Sequence, residues 1–195
     1  MATLALQVGS GNDDGREKGD NTPILNDASE IAMLTNSANT WLALRFATGA
    51  TIPQGATINT ATLQIYINST ATDNVQADFY CEAADDAGTF TTGSGDISAR
   101  SRTTANVAVR ANNVGTGWYS VTGMASVVQE VTDRGGWASG NDLAVIIDPV
   151  TGTDLQFRTW DHDTSLAAKL DIDYTAAGGA TSFVISRRAR TNIRM

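Results

Sequence analysis

Between Ala61 and Ile67 every second residue is apolar: Ala61, Leu63, Ile65 and Ile67 alternate with Thr62, Gln64 and Tyr66. A period of two is the signature of a strand with one buried face, and it excludes a helix over the same residues. The pattern recurs along the chain. Leu42, Leu44 and Phe46 alternate with Trp41, Ala43 and Arg45; Val75, Ala77, Phe79, Cys81 and Ala83 with Gln76, Asp78, Tyr80 and Glu82; Leu170, Ile172 and Tyr174 with Asp171 and Asp173. Leu155, Phe157 and Thr159 face opposite to Gln156, Arg158 and Trp160, while Leu4 to Val8 and Asn106 to Arg110 are shorter strand candidates. Leu143 to Ile147 is apolar without interruption, as at the centre of a sheet covered on both faces. Turn formers such as Pro53 and Gly55 punctuate these runs, and the short spacing between the Trp41 and Ala61 strands predicts that they pair antiparallel. The fold class expected is all-β, an antiparallel jelly-roll-like β-sandwich.

One stretch breaks the pattern. In Val121 to Trp137, Met124, Val127, Val128 and Val131 recur at helical spacing, with Ser126, Gln129, Glu130 and Asp133 opposite. A short amphipathic helix is predicted there, capped by Thr122, with Arg134 in its last turn and Gly135-Gly136 ending it. Its apolar face requires a core beneath it.

The 195 residues divide into an N-terminal strand and acidic loop (1–24), the sandwich (25–175) and a basic arm (176–195). A net charge of −8 sets the body against nucleic acid and anionic membranes. No apolar run is long enough to span a bilayer, and the first residues lack the basic and apolar regions of an export signal. The arm differs from the rest. Phe183, Val184 and Ile185 form a short β-prone core, followed by Arg187, Arg188, Arg190 and Arg194 with no acid nearby. Such a segment suits addition to a neighbour's sheet edge or contact with an acidic surface, including that of another copy of this chain.

Catalytic chemistry is sparse. His162 is the single histidine, so a His-based metal triad is excluded, and its position in TWDHDTS marks a turn between strands. Cys81, the single cysteine, falls on the inward phase of its strand and acts as a small hydrophobe. Asp13, Asp14 and Asp20 lie in a turn-rich segment without calcium-loop spacing, and Asp85-Asp86 are adjacent loop acids rather than a glycosidase dyad. No phosphate-binding or nucleophile motif is present. The expectation is a non-enzyme without metal or cofactor. Trp41, Trp118, Trp137 and Trp160 could carry sugar stacking, and Trp41 and Trp160 are the preferred glycan-binding candidates because both fall on the polar phase of their strands.

The order of WLALRF, TIPQGATINTATLQIYI, SVVQEVTDRGGWASGNDLAVII and AAKLDIDY resembles the DNRLRE-type, disaggregatase-related β-sandwich domains of microbial secreted and surface proteins, over about residues 12–175. The matching positions are Arg45-Phe46, Ile52-Pro53, Ala61-Thr62-Leu63 and Asn141 to Ile147. The resemblance implies a sandwich fold and, through known members, carbohydrate binding or an accessory role. A freestanding acidic sandwich without an export signal further resembles a bacteriophage structural protein, by analogy at the level of fold. The leading expectation is thus a non-enzymatic virion component, a capsid decoration or tail-associated protein assembled in the host cytoplasm. It would form a homo-oligomer and contact neighbouring virion subunits through its sandwich and its arm. A carbohydrate-binding module is the alternative, and a glycan-degrading enzyme a third.

Overall fold

Leu63, Ile65 and Ile67 are fully buried, and the polar residues between them face outward from an 11-residue strand. The computed structural model describes residues 1–25, 31–33, 40–49, 51–68, 73–150 and 155–177, with 31–33 and 73 as backbone alone. In chain order the described elements are β1 (Ala2–Gln7), β2 (Asp14–Glu17), β3 (Pro23–Leu25), β4 (Ile31–Met33), β5 (Trp41–Phe46), β6 (Thr57–Ile67) and β7 (Asp73–Cys81). There follow β8 (Val107–Val114), β9 (Gly117–Thr122), α1 (Ala125–Thr132), β10 (Leu143–Pro149), β11 (Leu155–Phe157) and β12 (Lys169–Thr175). They form two antiparallel sheets. Sheet A runs β1-β12-β6-β11-β4, with β9 on the other edge of β6; sheet B runs β3-β2-β5-β10-β7-β8. The protein is an all-β sandwich with, among the described residues, one short helix.

The core between the sheets takes one phase of each strand: Leu42, Leu44 and Phe46 from β5, Phe79 from β7, Leu170 and Ile172 from β12. The strands that the sequence expects to pair, β5 and β6, instead lie in opposite sheets. Their connection closes one end of the sandwich, because Ile52 and Ala56 are buried and the Trp137 indole N–H donates to the Ile52 carbonyl at 3.0 Å. A short linker restricts how far the chain travels but not which sheet it enters.

The segment 85–102 carries no strand, yet it forms a third layer. Ala87, Phe90 and Ile97 pack on Ala43, Ala144 and Ile146, which point away from the main core. Sheet B is therefore buried on both faces at β5 and β10, which explains the unbroken run Leu143 to Ile147. Arg100 holds the layer together: it donates to the carbonyls of Gly88 and Thr89, pairs with Glu82 and Asp96, and lies 4.5 Å from the centre of the Phe90 ring.

The helix is shorter than expected. Met124, Val127, Val128 and Val131 are buried as their spacing predicts, but Val121 and Thr122 belong to β9 and Met124, not Thr122, is the N-cap. Gly123, with φ of +87°, makes the break that lets the chain leave a strand and start a helix at once. Gly135 and Gly136 lie past its end and are not in the left-handed region. Gln129 and Glu130, read as water-facing, stitch the helix down: Gln129 receives the Ile58 N–H and donates to the Ala56 carbonyl, and Glu130 receives the Thr104 and Ala105 N–H groups.

The N-terminal acidic segment also departs from expectation. DGRE, predicted as exposed loop, is strand β2 between β3 and β5, and Asp13, Asp14 and Glu17 are buried. Glu17 is fully inaccessible, and its Oε2 accepts the N–H groups of Ile97 at 2.7 Å and Ser98 at 3.1 Å. Glu17→Ala leaves both donors without an acceptor, and we expect it to cost about 2–3 kcal/mol and to loosen residues 91–100 first. Glu17→Gln, which keeps an acceptor, should cost less. Urea denaturation with limited proteolysis of the loop checks this; equal stability of Glu17→Ala and the native chain would remove Glu17 as the anchor.

Candidate functional site

With the outer face of sheet B covered at its centre, the large open surface among the described residues is the outer face of sheet A. Register fixes what stands on it: Tyr66 opposite Trp118, Gln64 opposite both Ser120 and Lys169, Thr62 opposite both Thr122 and Asp171, and Asp173 opposite Thr3 and Thr60. Every one of these side chains lies on the phase opposite the core. Hydroxyl, amide and carboxylate groups are tied into rows: Thr3 Oγ1 donates to Asp173 at 2.7 Å, Thr60 Oγ1 to the same carboxylate at 3.2 Å, and Gln64 Nε2 to Asp171 at 3.4 Å.

Trp118 is the aromatic feature of this face. At 41% exposure it is, with Met1, one of two exposed large apolar side chains among the described residues. Tyr66 meets it edge-on, with centroids 5.5 Å apart and planes at 88°, and the Lys169 ammonium lies 4.3 Å from the indole centre. These contacts fix the ring while leaving much of it in water. A held aromatic ring beside short polar side chains can stack on an apolar patch and offer hydrogen bonds around it. It provides no nucleophile activated by a base.

The preferred tryptophans of the sequence are placed differently. Trp41 is half-buried against the cluster beneath the 85–102 layer, and Trp160 is half-buried against the main core. They pack on different clusters and do not form one platform. Trp137 is buried. The polar phase of a strand is an exposed phase only where no further layer covers it, and alternation does not reveal the layer. Trp118 preceded the predicted helix, and its strand β9 escaped recognition because Gly117 and Ser120 dilute the alternation. Phe183, Val184, Ile185, Arg187, Arg188, Arg190 and Arg194 lie outside the described residues.

A second polar cluster lies inside. Arg45 joins Asp13 at 2.7 Å, Asp142, and the Ala87 carbonyl at 2.7 Å, with its side chain 14% exposed. Asp142 in turn accepts the Thr48 N–H at 3.0 Å, so one guanidinium ties the N-terminal segment, β5, the start of β10 and the outer layer. Asp14, nearby, accepts the Trp160 N–H at 2.7 Å, but burial, with Asp161 and Asp13 adding repulsion, pushes its carboxyl up to about 7. Among the described residues no group of three or more His, Cys, Asp or Glu is arranged to hold a metal ion. Cys81 is buried and its thiol is pushed up to about 12, chiefly by burial, which keeps it protonated and unreactive. His162 is exposed in a turn, and Asp163 beside it accepts the Ser165 N–H and hydroxyl. No helix among the described residues is long and apolar enough to cross a membrane.

No protein-family model matches the chain, and no curated protein matches it. Among solved structures, the K1 cleaved adhesin domain of Lys-gingipain from Porphyromonas gingivalis W83 is similar at 13% identity, over 91% of this chain and all of that one, with a TM-score of 0.28. A likeness of that degree carries no argument about function.

The state of Asp14 gives a pH test. As pH rises from about 4 to about 7 the unfolded chain releases this proton while the folded chain keeps it, so the group makes folding less favourable across that window and levels off above it. Asp14→Asn keeps an acceptor for the Trp160 N–H without the charge. Urea denaturation at pH 5 and pH 8 should show the variant gaining on the native chain by a few kcal/mol at the higher pH. A constant difference between the two would place the Asp14 proton elsewhere.

Proposed function

We propose that the protein works by surface contact rather than catalysis, as a structural or binding β-sandwich. The observation that carries this reading is the outer face of sheet A: an ordered array of polar side chains around an exposed Trp118. Its finer form is a virion structural protein, a bacteriophage capsid decoration or tail-associated subunit assembled in the host cytoplasm. In this role the sandwich packs on neighbouring subunits and the arm, residues 176–195, crosses to another chain. Charge supports it, since four arginines sit within the last nine residues of a chain whose net charge is still −8. A closed homo-oligomer follows from such a self-directed arm. Light scattering on the full chain and on a chain ending at Ala177 should show an oligomer that becomes a folded monomer. Equal masses would remove the arm from assembly.

Carbohydrate binding is the second reading, favoured by one arrangement: Trp118 held by Tyr66 and Lys169, with hydroxyls and carboxylates along the adjoining strands. The sandwich resemblance to DNRLRE-type domains agrees with it. On this reading the sugar platform is Trp118 rather than the half-buried Trp41 and Trp160. Trp118→Ala should abolish retention on a glycan array while changing stability by less than about 1 kcal/mol. Unchanged retention would remove Trp118 as the platform.

A further inference from the structure

Among the described residues sheet B ends at β8, which pairs there with β7 alone. In β7 the Gln76 carbonyl turns toward β10 and accepts the Val150 N–H at 3.0 Å, while the Cys81 carbonyl turns the other way and accepts the Thr103 N–H at 2.9 Å. Even-numbered residues of β7 therefore spend their backbone groups on β10. Their register partners on β8, Ala108 and Arg110, must aim N–H and C=O away from the sheet. A free ladder of this kind is a template for another strand. The opposite edge, β3, is three residues long and includes Pro23, whereas β8 runs for eight residues without proline or glycine.

The side chains of β8 add a second reason. Val107, Val109, Ala111 and Val114 pack on the core but are only partly buried, so among the described residues the core stays open along this flank. An added strand with apolar residues on alternate positions would close it. Residues 183 to 185, Phe-Val-Ile, offer that chemistry, and the arginines after them suit an acidic body. The described chain ends at Ala177, whose Cβ lies 3.8 Å from where a Cβ on Gly55 would stand. Helix α1 lies between that point and β8: Gln129 bonds Ala56 and Ile58 on one side, and Glu130 bonds Thr104 and Ala105, just before β8, on the other. An arm from a second copy reaches that edge without having to pass around the helix.

We propose that the β8 edge is the acceptor for the arm of a second copy of this chain, with Phe183 and Ile185 covering the Val107–Val109 flank and the ladder completed through Ala108 and Arg110. The proposal rests on the assembly reading above and names its contact. Backbone hydrogen bonds set the register, and apolar burial provides most of the affinity.

The test uses the full chain. Amide hydrogen exchange at Ala108 and Arg110 should slow at least about tenfold as protein concentration rises through the association range. Ala108→Pro, on an exposed edge position whose N–H points outward, should give a folded monomer by circular dichroism and light scattering. An oligomer whose Ala108 and Arg110 amides exchange freely overturns the β8 contact and leaves the assembly reading standing. A monomer at every concentration overturns both readings, and protected amides in such a monomer would mean that the chain's own arm occupies the edge. Should Ala108→Pro fail to fold, the exchange of the native chain decides alone.

Discussion

The burial of Glu17 and Arg45 on the outer side of sheet B is the constraint on which the architecture turns. Both side chains point away from the sandwich core, and a strand face carrying them would ordinarily be solvated. Instead the 85–102 segment covers them, and each becomes an anchor for that segment: Glu17 through the Ile97 and Ser98 N–H groups, Arg45 through the Ala87 carbonyl. A buried charge is tolerated best where it is hydrogen-bonded; Glu17 Oε2 takes two loop N–H groups while its Oε1 is buried without a partner, so the loop path that supplies those two donors is the one that holds Glu17. Phe90 and Ile97 then have a fixed floor in Ala43, Ala144 and Ile146, and apolar burial stabilises a layer that contains no ladder of its own. Polar anchoring sets the position; apolar contact supplies the larger share of the free energy.

Local pattern and long-range partnership explain which parts of this were legible beforehand. Strand phase was readable wherever apolar and polar residues alternate, as in β5, β6, β7 and β12, and the burial of Met124, Val127, Val128 and Val131 followed from helical spacing. Sheet membership was not readable, because β5 and β6 have the same pattern whether they pair with each other or face each other across a core. The acidic DDGRE segment read as loop because its burial depends on Trp160, Ile97 and Arg45, partners that no local window contains. The same cause misplaced the exposed tryptophan. Trp41 and Trp118 both occupy polar strand phases, and they differ only in whether a distant segment lies above them.

The distribution of covered and open surface bears on function. A two-sheet sandwich has four faces. Two face the core, and the outer face of sheet B is closed at its centre by its third layer, so among the described residues the outer face of sheet A and the sheet edges remain open. These two surfaces are chemically unlike. The sheet A face is polar, with its donors and acceptors already linked in rows such as Thr3–Asp173–Thr60, so a partner there must match a fixed pattern and gains little from simple desolvation. The β8 flank is the reverse: among the described residues it presents backbone without a strand partner and partly covered valines, so association there, as proposed, would gain from burial and demand only an extended apolar segment. Selective contact belongs to the first surface and strong, less selective attachment to the second. On the proposed assembly reading, the edge would hold a neighbour while Trp118, on the other sheet's outer face, meets a target.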